Sequence, residues 1–474
     1  MALTIPELFA GAVAEVPDKT WLLYEEESWT YAEASERIAA AAAGLAERGI
    51  GPGDLVLASA RNHPDYVFAW LATVGLGAIW VPCDPRYSET ELNGLKKQVD
   101  PKLYLSDAEV GSLFEVQAPG TRHQAPDPDD PAVLLPTSGT TGRSKLVTQT
   151  HRAYAMGAEG FPWWLELGPD DRLMTSLPLF HVNAPTYSLL GSVAARASAV
   201  LLPRFSASGF VDAARRYGAT EFNAIGAMLE ILMRQPERPD DADNPLRLCY
   251  TGPSPPEERQ LEIESRFGIR IVCGYAMSET PYGLVWRHGT RPFGTLGWPR
   301  QHPTLGEVNE ARVVDGELQL RNPAVMKGYW GMPEETGEVL LADGWLRTGD
   351  LVEENPDGSY TFIGRRKEVI RRRGENVSPV EIEEALATHP DVFEAAVIGV
   401  PSDLTEEEIK GFVVTRDSAD LAAIREHAAE QLVRFKVPRY LEAVDELPHT
   451  PTGRVAKHRL PQDRNDAEVD FEAA

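Results

Sequence analysis

The first 250 residues alternate between two kinds of segment, and this alternation limits the fold more than any other feature. Tyr31–Arg48 (YAEASERIAAAAAGLAER) combines strong helix formers with an apolar stripe, which predicts an amphipathic helix. Gly49–Asp54 (GIGPGD) is a stop and turn. Leu55–Ala58 reads as a buried strand, Asp65–Leu76 as the next helix and Ala78–Val81 as the next strand. Leu201-Leu202, Ala219–Ala224 and Leu248–Tyr250 continue the series as short strands, with a helix at Ser208–Tyr217. Such alternation implies an α/β fold of layered sheets with much parallel pairing. Residues 120–131 (GTRHQAPDPDDP) are polar and proline-rich and read as a surface loop.

Beyond residue 290 the texture changes. Glu317–Arg321 and Tyr360–Ile363 read as shorter strands in β-rich segments. In the last hundred residues, Pro379–Ala387 and Leu421–Val433 read as helices and Ala395–Val400 and Gly411–Val414 as strands, a small α+β unit. The expected division is a large N-terminal domain, residues 1–364, and a small C-terminal domain, residues 365–474, joined by a hinge. The polar, acidic tail after Pro461 is expected to fray.

A chain of 474 residues, 43% apolar and 25% charged, is ordinary for a globular protein with several cores. Its net charge of −26 argues against coating nucleic acid and against adhesion to anionic membranes. A local positive pocket can still bind a small anion. Cys83, Cys249 and Cys273 are far apart, which suggests neither a zinc site nor a disulfide framework and fits a reducing cytoplasm. The N-terminus lacks the basic start and apolar core of a signal peptide. The longest apolar run, Tyr66–Val81, holds Gly75 and Gly77 and stops at Pro82, too short and broken for a membrane span. A cytoplasmic protein with no nucleic-acid or membrane partner is expected.

The most informative stretch is Leu134–Lys145, LLPTSGTTGRSK. An apolar run leads into Thr137, Ser138, Thr140 and Thr141, with Gly139, Gly142 and Lys145 among and after them. Glycine permits close backbone approach, hydroxyls and N–H groups donate to phosphate oxygens, and lysine adds a point charge. This is the chemistry of a polyphosphate cradle. The spacing is not GxxxxGK[ST], which argues against a P-loop NTPase.

TSGTTGRSK resembles the phosphate-loop signature of the ANL adenylating enzymes: acyl-CoA synthetases, peptide-synthetase adenylation domains and luciferases. The resemblance covers nearly the whole chain, and further motifs follow in the family's order. It implies that Thr137, Ser138, Gly139, Thr140, Thr141, Gly142 and Lys145 bind the nucleotide. Gly274–Thr280, GYAMSET, is similar to the family's aromatic-Gly-x-Thr-Glu motif. Gly274, Tyr275, Ala276, Met277 and Ser278 would then line the nucleotide, Tyr275 stacking on adenine and Ser278 contacting the α-phosphate. Glu279 would hold Mg²⁺ as a hard oxygen ligand. Gly252, in YTGP, would form the glycine turn past the adenine.

In WLRTGDL the resemblance makes Asp350 the acceptor of the ribose hydroxyls, for which a carboxylate has two oxygens. In GRRKEVI it makes Arg365 a ribose and phosphate ligand and Lys367 the hinge, and it puts Gly374 at the thiol tunnel. Six of the nine residues 365–373 are basic, read as a positive strip facing phosphates. LPLFHVN places His181 near the substrate carboxylate, as a catalytic candidate. Trp163, Trp164, Tyr187 and Met228 are candidates for an aromatic-sized acyl pocket, although such residues are more often core.

Three departures stand out. Lys145 is followed by Leu146 where the family has glycine, which costs the loop flexibility. In PHTPTGRVAKHRL, Arg454 stands where the family has its catalytic lysine, with Lys457 three residues on; arginine keeps the charge with a different plane and reach. Either residue is a candidate for the electrostatic work of the transition state. Finally, residues 226–279 look most like the crotonobetaine/carnitine-CoA-ligase-like branch, whose relatives include amine-diazotising enzymes.

The resemblance therefore implies an AMP-forming acid–thiol ligase. ATP, with Mg²⁺, adenylates a small organic carboxylic acid, pyrophosphate leaves, and the acyl group passes to a thiol, CoA or that of a carrier protein. The C-terminal domain would rotate about Lys367 between the two steps. Two alternatives remain: a diazotase that activates nitrite for attack on an arylamine, and a non-catalytic nucleotide-binding protein.

Overall fold

Local chemistry starts several of the N-terminal helices. Thr4, Thr30 and Ser88 cap the helices Ile5–Glu15, Tyr31–Glu47 and Glu89–Val99, and Glu7, Glu33 and Glu91 return a bond to each cap's own backbone N–H. This reciprocal box satisfies N–H groups that a helix start otherwise leaves unpaired. The computed structural model describes residues 4–115, 125–137, 144–372, 375–402, 406–416, 419–449, 455–465 and 467–472. Ser138, Gly139, Thr140, Thr141, Gly142, Gly374 and Arg454 lie outside the described residues.

The chain divides into two compact units. The first holds Met1–Ala311, Leu320–Leu346 and Asp357–Ser359; the second holds Arg312–Gln319, Arg347–Pro356 and Tyr360–Ala474. In the first, among the described residues, one sheet runs in the order Leu103–Ser106, Leu55–Ser59, Ile79–Pro82, Pro131–Thr137, Lys145–Thr150. Its neighbours are parallel except the last pair, which is antiparallel.

A larger sheet runs Trp298–Pro299, Thr280–Val285, Arg270–Met277, Leu248–Thr251, Glu221–Asn223, Arg172–Thr175, Ser198–Leu201, Thr20–Tyr24, Glu27–Thr30. Its interior pairs are parallel, and its edges are antiparallel. One apolar core takes Val56, Trp80 and Val133 from the first sheet, Met174, Val200 and Phe222 from the second, and Phe68 and Leu190 from helices. Burial on both faces explains why these strands read as continuous apolar runs. The expected helix–strand series is present, with ends shifted by a residue or two at Pro64–Gly75 and Ile79–Pro82, while the strand expected at Leu201-Leu202 starts three residues earlier, at Ser198–Leu201.

In the second unit, Val392–Pro401, Glu407–Thr415, Tyr440–Ala443 and Glu468–Asp470 form a sheet packed by the helices Pro379–Ala387 and Leu421–Gln431. Ile382, Leu386, Val397, Ile409, Ile424 and Leu441 are its core. The tail departs from expectation. Glu468–Asp470 pairs antiparallel with Tyr440–Ala443, and its acids meet cations. The buried Lys410 ammonium lies 2.8 Å from Glu468 and 2.9 Å from Glu442, and Asp470 pairs with Arg439 at 2.9 Å. A buried cation is tolerated only when paired, so the acidic tail supplies what the sheet needs.

The basic strip also divides. Arg372 is buried, pairs with Glu408 at 2.6 Å and donates to the carbonyls of Phe435 and Val437. It is an internal brace of the unit, whereas Arg365 and Lys367 are exposed.

Candidate active site

The described ends of the phosphate-loop motif lie on paired antiparallel strands. Pro131–Thr137 and Lys145–Thr150 pair with Thr137 opposite Lys145, and the Thr137 hydroxyl donates to the Lys145 carbonyl at 3.2 Å. The two described ends of the motif are thus held side by side by strand pairing. The GYAMSET motif is a hairpin. Arg270–Met277 turns through Ser278 and Glu279 into Thr280–Val285, with Met277 opposite Thr280. Glu279 is therefore presented at a tight turn, half-buried.

The backbone of that turn is clamped from two sides. The buried Gln149 amide donates to the Ser278 carbonyl at 2.6 Å, and the Met326 N–H donates to the Glu279 carbonyl at 2.8 Å. Tyr329 links the two strand pairs. Its hydroxyl donates to Glu279 Oε1 at 2.9 Å, and Lys145 Nζ lies 4.6 Å from its ring centroid. Burial and the neighbouring Glu279 charge push the Tyr329 pKa up, so the phenol remains a donor.

Gly252 and Gly274 mark a close backbone crossing. A Cβ on Gly252 would stand 2.1 Å from the Gly274 carbonyl oxygen, and a Cβ on Gly274 would stand 2.4 Å from the Tyr250 hydroxyl. Tyr250 cannot swing away. Arg300, buried without a carboxylate among the partners the structure gives it, donates to the Tyr250 hydroxyl, to the Tyr187 hydroxyl at 2.8 Å and to the carbonyls of Pro281 and Leu284. Tyr275, Ala276 and Met277 follow Gly274 on the same strand, with the Tyr275 hydroxyl 3.9 Å from the Met277 sulfur.

His181 stands on a separate segment of this unit, its ring 4.5 Å from Phe180. Asn62 braces that segment by donating to the Leu177 carbonyl and accepting from the Leu179 N–H. Nearby, Asn223 donates to Asn183 at 2.7 Å. The aromatic-pocket candidates are mostly core. Tyr187 stacks on Phe161 and bonds Pro281, Trp164 donates to the Gln301 carbonyl, and Met228 is buried, while Trp163 faces outward.

In the second unit Asp350 and Arg365 are cross-strand partners, with Arg365 Nε 3.5 Å from Asp350 Oδ1. Lys367 lies in the turn that follows Arg365. Lys457 is engaged within the unit, 2.7 Å from Glu383 and 3.2 Å from Glu368. Burial raises the Glu383 carboxyl above its ordinary range, and the Lys457 charge pulls it back.

Residues 9–330 match the AMP-binding enzyme family, and residues 381–454 match the AMP-binding enzyme C-terminal domain. The chain belongs to the ANL superfamily of adenylate-forming enzymes. As an ANL enzyme it is an AMP-forming, acyl-CoA-synthetase-like ligase. It is similar to sulfoacetate–CoA ligase of Cupriavidus necator, 32% identical over 96% of this chain and 97% of the relative. It is also similar to crotonobetaine/carnitine–CoA ligase of Salmonella agona, 30% identical over 94% of this chain and 96% of the relative. That relative carries the name of the branch that residues 226–279 resemble. Among solved structures, ATP-bound MatB from Rhodopseudomonas palustris superposes with a TM-score of 0.88 at 27% identity, covering 96% of this chain and 98% of that one.

The ANL site fits Mg²⁺. Among the described residues no three His, Cys, Asp or Glu side chains gather into a cage. Mg²⁺ needs none, because it keeps waters and binds through one or two carboxylates plus substrate phosphates. Glu279, held by Tyr329, offers a carboxylate of the kind that would suit it. Among the described residues no helix is long and apolar enough to cross a membrane. The sequence reading missed Tyr329, Gln149, Asn62 and Arg300. Only Tyr329 left a local signal, a Gly-Tyr pair ahead of a helix.

Proposed function

We propose that this enzyme adenylates a small organic carboxylic acid and passes the acyl group to CoA. The observation that carries the reading is the convergence of Lys145 and Glu279 on Tyr329, which sets a cation and an anion on one ring. A cation there suits the phosphates of ATP, and the anion suits their metal. The carboxylate attacks the α-phosphorus, the bond to the bridging oxygen breaks, and pyrophosphate leaves. Mg²⁺, when bound at Glu279, neutralises charge on the phosphates. In the second step the thiol sulfur attacks the acyl carbon and AMP leaves.

In this proposal Thr137, Ser138, Gly139, Thr140, Thr141, Gly142 and Lys145 cradle the phosphates. Gly252 and Gly274 to Ser278 line the nucleotide, Asp350 and Arg365 hold its ribose, and His181 serves the carboxylate. Gly374 belongs to the thiol path, and the functional break lies at 364/365 with Lys367 as hinge. Lys457 is committed to Glu383 and Glu368, which favours Arg454 as the cation of the adenylation step. The Cupriavidus and Salmonella relatives are CoA ligases by name, which favours CoA over a carrier protein and lends no support to nitrite activation or to a non-catalytic binder.

The test is pyrophosphate release from ATP–Mg²⁺ with a panel of carboxylic acids and CoA, beside nitrite with arylamines. Release that depends on a carboxylate is expected; release with nitrite alone, or ATP binding without turnover, overturns the proposal. Arg454→Ala should abolish release, and a larger loss from Lys457→Ala would reverse the assignment.

A further inference from the structure

We infer that Tyr329 is a positioning residue that sets the metal-holding carboxylate Glu279 and the phosphate-side Lys145 in register with each other; the inference rests on the adenylation reading above.

Four observations meet at this residue. Its hydroxyl donates to Glu279 Oε1 at 2.9 Å. A donor on one oxygen restricts rotation of the carboxylate, so its charge is held in one orientation. Its ring face takes the Lys145 ammonium at 4.6 Å, a cation–π distance. One side chain thus sets the spacing between two opposite charges carried on different strand pairs.

The third observation is how firmly Tyr329 itself is held. It bridges Val147, two residues from Lys145 on the same strand, while the Trp330 N–H donates to Leu146 and the Thr148 N–H donates to the Gly328 carbonyl. The Thr336 hydroxyl accepts from the Tyr329 N–H at 2.9 Å and donates to Met332 at 2.7 Å. The fourth is Gly328. Its φ of +136° suits glycine, and a Cβ there would stand 2.7 Å from the Thr336 side chain. The chain gives up a side chain at 328 so that Tyr329 can lie against both Thr336 and strand Lys145–Thr150. A phenol needed only to fill the core would not require its hydroxyl on Glu279 and its face under Lys145.

The experiment uses the full-length enzyme and Mn²⁺, a paramagnetic stand-in for Mg²⁺, and reads metal binding to the enzyme–ATP complex by electron paramagnetic resonance without any acid present. Tyr329→Phe keeps the ring and removes only the hydroxyl. The half-saturating Mn²⁺ concentration should rise about tenfold, the loss expected for a hydrogen bond to a charged group. ATP affinity at saturating Mn²⁺ should hold. Tyr329→Leu removes the ring too, and should add an ATP-affinity loss of about threefold, within the range of a cation–π contact. Unchanged Mn²⁺ affinity in Tyr329→Phe overturns the inference. So does a fall in melting temperature with equal loss of Mn²⁺ and ATP affinity in both variants, the signature of a merely structural role. Failure of the wild-type enzyme to bind Mn²⁺ and ATP together overturns the adenylation reading, and the inference with it.

Discussion

Glu221 sits in the parallel centre of the large sheet, fully buried, and among the described residues neither carboxyl oxygen has a hydrogen-bond partner. Burial pushes its pKa well above the ordinary carboxylate value, the Asp171 charge adds to this, and Arg247 opposes it. The folded protein therefore keeps Glu221 protonated where the unfolded chain ionises. A raised folded pKa contributes stability that is whole below the unfolded value and is lost as pH climbs through the folded one. Each pH unit between the two costs about 1.4 kcal/mol.

Glu221→Gln keeps the shape and removes the proton. In urea unfolding followed by tryptophan fluorescence, the variant should match the wild type near pH 4 and pull ahead as pH rises. From the unfolded pKa of about 4.3 up to the raised folded one, the gap should widen by about 1.4 kcal/mol per pH unit at most. Parallel stability profiles across that interval would refute the reasoning, because they would mean that Glu221 ionises in the folded state without cost.

Three further outcomes follow from the same structure. Burial pushes the His151 pKa down to about 4, so its stability contribution is present above pH 6.5 and lost on acidification, on the order of 3 kcal/mol in all. Above pH 4.3 this slope opposes that of Glu221, and a His151→Gln profile measured beside Glu221→Gln separates them. Gly274→Ala should lower stability by about 1–3 kcal/mol and weaken ATP binding, since its Cβ meets a Tyr250 held by Arg300; calorimetric titration with wild-type affinity would contradict the packing argument. Lys457→Met leaves the half-buried Glu383 without its cation, so its destabilising effect should grow as pH rises and the carboxyl ionises; a pH-independent change in the urea midpoint would exclude the ion-pair account.

The sequence by itself determined the class of fold and the chemical vocabulary of the site. Helix formers on one stripe, short apolar strands and Gly/Pro turns act over a few positions, so Tyr31–Glu47, Pro64–Gly75 and Glu221–Asn223 were readable from their own segments. The hydroxyl-rich loop and the GYAMSET stretch were legible for a similar reason, since each motif is contiguous. The strands that flank the first, and the hairpin that holds the second, have a register that only the folded backbone shows.

Tertiary structure decided which distant groups meet. Tyr329 lies 50 positions from the Glu279 it bonds, and Arg300 lies 50 from the Tyr250 it holds. No local pattern carries such a pairing. The same limit made the acidic tail look solvated and the residues around Arg372 look like a uniform positive strip. A charge on a sequence has no partner until the chain closes, and burial then decides whether that charge faces water or must find its opposite, as Lys410 finds Glu468 and Arg372 finds Glu408.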